Sequence, residues 1–352
     1  MNLFTPLRLR DLELKNRIFV SPMCEYSAEN GHPNNWHLVH LGSRAVGGCA
    51  LVVTEATGVQ AIGRISPADT GIYLDSHVDA WKPIVDFIRG QGAVAGIQLA
   101  HAGRKGSTAA PWLGGKAVAI NEGGWKPVAP SAVAFADGYP EPRELTKTDI
   151  DQIVSDFQGA AERALRAGFQ VVEIHAAHGY LLHEFCSPLS NSRADGYGGS
   201  FDNRVRLLLR VTDAIRSTWP QSLPVLVRIS ATDWKEGGWD LPQSVELCRR
   251  LKSAGVDLVD VSSGGNVAGV SIPVGPGYQV EFAAAIRREA KIATAAVGMI
   301  TDPVQAETIL RTGQADAVFL ARELLRDPYW PRRAADALGV KIKAPVQYER
   351  AW

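Results

Sequence analysis

The stretch TKTDIDQIVSDFQGAAERALRAGFQVVEIH, residues 146–175, holds one complete unit of the fold. Thr146 and Asp149 form a capping-box pattern, in which each side chain satisfies a backbone donor left free at a helix start. Ile150, Ile153, Phe157, Ala160 and Ala164 then share one helical face. Gly168 permits the left-handed turn that ends the helix, and 171–174 reads as a strand. The same helix, glycine, strand order returns at Gly47-Gly48 before 50–53 and at Gly92 before 94–99. It recurs at Gly255 before 258–261 and at Gly313 before 317–320. Segments 17–20, 225–229 and 292–297 complete a set of eight strands. Their apolar runs suit parallel strands covered on both faces. Eight strands alternating with helices predict an α/β fold, a closed (β/α)8 TIM barrel. A doubly wound open sheet is the competing architecture.

Two stretches break the period. Residues 100–145 follow the third strand and 176–200 follow the fourth, so both are expected as insertions over the active face. No linker or low-complexity run divides the chain, and one domain over 1–352 with a C-terminal tail is expected. At ~150 residues per domain, 352 residues fit one large barrel.

Lys plus Arg number 37 and Asp plus Glu 37, giving zero formal charge. Such a chain has no global basic field for nucleic acid and no polybasic membrane patch. At 46% hydrophobic and 21% charged it reads as an ordinary globular protein. No apolar run approaches the ~18 residues of a membrane helix, and 1–13 lacks a signal-peptide core. Cys24, Cys49, Cys186 and Cys248 stand far apart without CxxC or metal spacing. The expectation is a reduced, cytoplasmic protein.

In a barrel, chemistry gathers at the carboxyl ends of the strands. Those ends read Ser21-Pro22-Met23-Cys24, Glu55-Ala56-Thr57, Gln98, and His175-Ala176-Ala177-His178-Gly179-Tyr180. The later strands add Arg228, Ser262-Ser263-Gly264-Gly265, Gly298-Met299 and Ala321-Arg322. Arg228 interrupts an apolar strand, so it must face an anion, a strong acceptor or an internal carboxylate. Gly298 and Ala321-Arg322 follow strands 7 and 8, where barrels commonly bind phosphate. His175, His178 and Tyr180 put two imidazoles and a phenol within six residues, a catalytic or substrate-binding cluster. A metal site is the alternative there, yet no carboxylate pair stands near to complete a zinc shell. His37 and His40 lie in the first helix, where a capping or surface role is expected. Cys24 reads as a strand-end thiol without an identifiable base. Neither GxGxxG nor GxxxxGK[ST] occurs in a binding context, so any nicotinamide binds without a Rossmann domain.

Taken together these motifs resemble the Old Yellow Enzyme family. The resemblance rests on Ser21-Pro22-Met23-Cys24-x-Tyr26, Gln98-x-x-His101-x-Gly103-Arg104 and His175-x-x-His178-x-Tyr180. It continues through Ser187-x-x-Ser190-Asn191-x-Arg193-x-Asp195-x-Tyr197-Gly198-Gly199-Ser200, Gly298-Met299-Ile300 and Arg322-Glu323-Leu324-Leu325-Arg326-Asp327-Pro328. Cys24 and the tail Tyr348-Glu349-Arg350-Ala351-Trp352 resemble its thermophilic-like branch. The resemblance implies an FMN-dependent NADPH dehydrogenase, or ene-reductase. NADPH reduces FMN and leaves; an enone, maleimide or nitroalkene then takes hydride at its β-carbon. It further implies FMN held by Ser21, Pro22, Met23, Cys24, Ala56, Gln98 and Arg228, with its phosphate at Gly298, Ala321 and Arg322. Family members usually carry Gly where Ala321 stands. Substrate is then bound by Tyr26, His175, Ala176, Ala177 and His178, Tyr180 protonates the α-carbon, and Cys24 tunes the flavin. Branch relatives with an iron–sulfur cluster carry an extra domain and a cysteine cluster, and this chain shows neither. In this branch the tail crosses to a neighbouring subunit, so the resemblance also implies a homodimer or homotetramer in which Arg350 completes the partner's substrate pocket. A metal-dependent hydrolase using His175 and His178, or a non-catalytic ligand-binding protein, are the competing functions.

Overall fold

The computed structural model describes residues 2–352. Eight parallel strands form its centre: β1 (Ile18–Val20), β2 (Leu51–Gly58), β3 (Val94–Ala100), β4 (Val171–Ala176), β5 (Val225–Ser230), β6 (Leu258–Ser262), β7 (Ala293–Ala296) and β8 (Ala317–Leu320). Each pairs with its sequence neighbours, and β8 pairs with β1, so the barrel closes. Closure decides between the two architectures, because a doubly wound sheet keeps two edges.

Helices α1 (Asn35–Val46), α2 (Asp75–Gly90), α3 (Lys147–Ala167), α4 (Phe201–Thr218), α5 (Leu241–Ser253), α6 (Val280–Ala290) and α7 (Pro303–Arg311) wrap the outside. The capping box of α3 forms as its sequence predicts: Asp149 N donates to Thr146 Oγ1 and Thr146 N to Asp149 Oδ2. Ile150, Ile153, Phe157, Ala160 and Ala164 are buried against the barrel, and Gly168 closes the helix at φ +94°. Burying Phe157 alone removes one large aromatic surface from water, a contribution of roughly 2–3 kcal/mol.

Both expected insertions are present. The one after β3 contains short 3-10 turns and a two-residue strand pair, Val128–Ala129 with Arg143–Glu144. The one after β4 begins with a short helix, Leu181–Cys186. A third excursion, residues 263–279 after β6, has no counterpart in the periodicity. An antiparallel hairpin, Leu7–Leu9 with Leu12–Leu14, was likewise not legible as strand. It buries Leu9 and Leu14 against the apolar barrel floor with Phe19, Leu51, Leu226 and Leu258. The strands differ slightly from their expected bounds: β2 runs on to Gly58 past an irregularity between Val53 and Ala56. Among the described residues no helix is long and apolar enough to cross a membrane.

His37 and His40 require correction as surface residues. Both are buried, although His37 does cap α1 by accepting from Asn34 N. His37 Nε2 lies 2.9 Å from Glu55 Oε1, and His40 Nε2 lies 3.3 Å from Glu25 Oε1. A buried carboxylate, Glu55, and a half-buried one, Glu25, face these imidazoles and offset their loss of water.

Candidate active site

The carboxyl end of β4 delivers the cluster. His175 stands on the strand, while His178 sits at φ +59° in the turn that follows. Their rings are 5.3 Å apart, and the Tyr180 ring is 5.1 Å from His175, all edge-on. Gly179 is required for this turn: a Cβ there would meet the Gly265 carbonyl at 2.3 Å. His178 N donates to Ser230 Oγ and its Nε2 lies 2.7 Å from Ser262 Oγ, whereas buried His175 Nδ1 has no partner. Burial, aided by Arg228 nearby, drives both imidazole pKa values well below 6.5, so both are neutral near pH 7. Burial also raises the Tyr180 phenol well above 10, keeping its proton on Oη.

Cys24 reaches the same place from β1. It and Tyr180 pack on one apolar patch of Ala56, Ile65, Ala100 and Ala102. Burial first, then Asp69 and Glu55, raise the thiol pKa well above 9. A protonated thiol is a poor nucleophile. Ala177 is fully buried beneath the turn, and Ala176 ends β4. Tyr26 lies at φ +48° with its ring edge-on to Trp112 at 5.4 Å. Met23 packs partly buried on the main core, and Pro22 is half-buried beside it.

Three residues here escaped the sequence reading. Lys105 Nζ donates to the carbonyls of His178 and Gly265 at 2.9 and 3.0 Å, and stands 5.1 Å above the Tyr180 ring. Burial pulls its pKa down to about 8. His183 Nδ1 accepts from Gly179 N, and its Nε2 lies 3.0 Å from Asp233 Oδ1. The adjacency of Lys105 to Gly103-Arg104 was the available signal; nothing local marked Asp233.

Deeper in the mouth, Gln98 pairs in register with Ala56 on β2 and Glu173 on β4, and its Nε2 donates to Glu173 Oε1 at 2.8 Å. Arg228 Nη1 donates to Ser21 Oγ at 3.1 Å. Its Nε stands 3.1 Å from Asp260 Oδ2, close enough for charge attraction yet not aligned as a hydrogen bond. Arg228 therefore meets an internal carboxylate and also lines a cavity of about 310 Å³ with Ser262, Gly298, Met299, Ala321 and Arg322. Arg350 is not brought to this mouth within its own chain: it is exposed, while Tyr348 and Trp352 pack on Tyr329 at 6.4 and 6.2 Å. Among the described residues no three His, Cys, Asp or Glu side chains gather as a metal set.

Residues 2–340 match the model of the NADH:flavin oxidoreductase / NADH oxidase family. The chain belongs to that family. This flavin oxidoreductase is 51% identical to an NADPH dehydrogenase of Geobacillus sp. (strain WCH70), over 99% of this chain and 98% of the relative. Its fold is similar to the Old Yellow Enzyme homologue of Zymomonas mobilis, with a TM-score of 0.80 at 27% identity over 100% of this chain and 99% of that one. It also superposes on a 2-naphthoyl-CoA reductase complex with a TM-score of 0.87 at 27% identity; 96% of this chain is covered, but only 52% of that longer one.

The cofactor of such a flavin oxidoreductase is FMN, and the residues present fit it. Gly298, at φ +116°, leaves a cradle in which a Cβ would meet Gln279 Nε2 at 2.7 Å and the Tyr278 ring at 3.0 Å. Arg322 has no carboxylate partner among the described residues, and Arg228 leaves Nε without a hydrogen bond. A polar side-chain edge, a guanidinium and a second unpaired guanidinium across one cavity suit a flat hydrogen-bonding ring with an anionic tail.

Proposed function

We propose that this chain is an NADPH-dependent ene-reductase acting on electron-poor alkenes such as enones, maleimides and nitroalkenes. Bound FMN would supply a two-electron carrier that takes hydride from the nicotinamide and gives it to the alkene β-carbon. The observation that carries the reading is the grouping of His175, His178 and Tyr180 beside Cys24 at one barrel mouth.

Each residue then has a chemical task. Gln98, with the Ala56 backbone, would hydrogen-bond the polar edge of the ring, and Ser21, Pro22, Met23 and Cys24 would line its face. Arg228 would stand where negative charge accumulates, and Gly298, Ala321 and Arg322 would hold the phosphate through backbone donors and a guanidinium. The neutral imidazoles of His175 and His178 would donate to the substrate's carbonyl oxygen, where charge develops as hydride arrives. Tyr26 and the Ala176-Ala177 turn would bound the substrate. Tyr180 Oη would protonate the α-carbon, a task suited to a phenol that burial keeps protonated. Arg350 would enter the partner subunit's pocket in a homodimer or homotetramer. Four free thiols accord with a reducing, cytoplasmic setting.

The test separates the two half-reactions. In Tyr180→Phe, reduction by NADPH should stay near normal while reoxidation by cyclohexenone slows ~10²-fold, the usual scale for a lost general acid. Stopped-flow absorbance reads both. Equal slowing of the two, or of neither, contradicts the assignment. A colourless preparation bearing metal would favour the hydrolase instead.

A further inference from the structure

The barrel interior is layered. Val171, Leu226 and Leu258 belong to its apolar floor, with Phe19, Leu51 and Phe319. Two residues further along the same strands, on the same inward face, stand Glu173, Arg228 and Asp260. The strand register sets Asp260 directly beside Arg228, and Arg228 beside His175. Gln98 from β3 completes the layer by donating to Glu173 Oε1.

Arg228 thus acts on both buried carboxyls: it stands 3.1 Å from Asp260 and attracts Glu173 from beyond ion-pair distance. Glu173 Oε2 and both Asp260 oxygens lack a hydrogen-bond partner. The other strands bring apolar side chains to the interior, among them Phe19, Val53, Val297 and Phe319. The titratable groups on the mouth side are His175, then His178 and Lys105 beyond it. With a single cation to share, two carboxylates in a dry interior cannot both stay ionised without large cost, and their titration belongs to the pair. Burial raises both pKa values; Asp260 raises that of Glu173 further, and Arg228 opposes the rise.

We propose that Glu173 and Asp260 form a proton store beneath the barrel mouth, which binds one further solvent proton when negative charge builds up beside Arg228 and releases it when that charge leaves. The proposal rests on the reading that Arg228 faces the cofactor. The balance is simple. Hydride from NADPH carries two electrons and one proton, so reduction adds one negative charge at the mouth. The store answers by –COO⁻ + H⁺ → –COOH, with the proton drawn from water and nothing in the pair oxidised or reduced.

The experiment follows protons rather than turnover. The FMN-loaded enzyme is reduced anaerobically by NADPH in weakly buffered solution containing a pH indicator. About one proton per site should be taken up in step with flavin bleaching. Glu173→Gln and Asp260→Asn should each abolish it, since either leaves a single carboxylate neutralised by Arg228. The store should also add up to ~30 mV per pH unit to the dependence of the two-electron midpoint potential, one tenfold step for a two-electron couple. No uptake in the wild type, or uptake unchanged in both variants, overturns the proposal. A second readout on the oxidised holoenzyme is an infrared band of a protonated carboxyl that titrates across the neutral range and vanishes in Glu173→Gln. Its absence also overturns the store. Full FMN affinity in both Arg228→Ala and Arg322→Ala would instead contradict the cofactor placement, an outcome distinct from loss of that band.

Discussion

His178 Nε2 stands 2.7 Å from the Ser262 hydroxyl, so an imidazole on the turn after β4 is pinned by the carboxyl end of β6. Ser262 Oγ also lies 3.3 Å from Gln279 Oε1, itself 2.6 Å from Ser263 Oγ. Gln279 Oε1 already accepts from Ser263, so Ser262 can give its hydroxyl proton to His178 Nε2, which leaves the ring's own proton on Nδ1 for the substrate oxygen. This chain orients the ring.

Replacing Ser262 by Ala removes that orientation at a cost of about 1 kcal/mol, the net worth of one hydrogen bond. KM for cyclohexenone should rise roughly fivefold, while flavin content stays the same. Steady-state rates, normalised to FMN absorbance, check both.

Protonation of His175 or His178 should play no part in the neutral range. Their pKa values are lowered, so the charged form appears only as pH falls well below 6.5. The imidazoles should therefore give the rate of substrate reduction by the reduced enzyme no inflection near 6.5. A stopped-flow pH profile with a midpoint there that persists in Glu173→Gln, where the carboxyl pair is broken, would contradict the neutral imidazoles.

Cys24→Ala should leave turnover within severalfold of normal and shift the flavin midpoint potential. The thiol is held protonated among Asp69, Glu55 and apolar surface, so no covalent intermediate is expected. Redox titration and mass spectrometry during turnover decide it. Complete loss of activity with FMN still bound would show that the thiol attacks.

The tail prediction concerns assembly. Truncation after Gln347 removes Tyr348, Arg350 and Trp352, an aromatic and Arg set typical of interface anchors. FMN should stay bound while substrate binding weakens and the oligomer loosens. Mixing a His175→Ala subunit with a truncated one should regenerate one complete site in some dimers, raising activity above either parent. Subunit exchange without recovery would place Arg350 outside the neighbouring site.

Much of the candidate site was legible because each strand writes its own end into contiguous sequence. His175, His178 and Tyr180 lie within six residues, so one turn suffices to gather them. Ser21 and Arg228 were also readable as strand-end polar residues, but their contact was not: 207 positions separate them. Lys105 escaped notice because a lysine in a Gly-rich insertion reads as surface until the fold buries its amine against two carbonyls. The same holds for His37 and His40, whose helical positions are local while their partners Glu55 and Glu25 are not.

The sequence by itself determined the order and number of the eight barrel strands and their alternation with helices. Helix caps, apolar faces and glycine stops act over a few residues, and the run of strand and helix recurs along the chain. Only the tertiary structure decided which side chains share a layer. That depends on barrel closure between β8 and β1 and on the register of each strand pair, which sets Asp260 beside Arg228 and Gln98 beside Glu173. Register is a property of two strands at once: shifting one by a single residue turns its inward side chains outward, a constraint that no single segment carries.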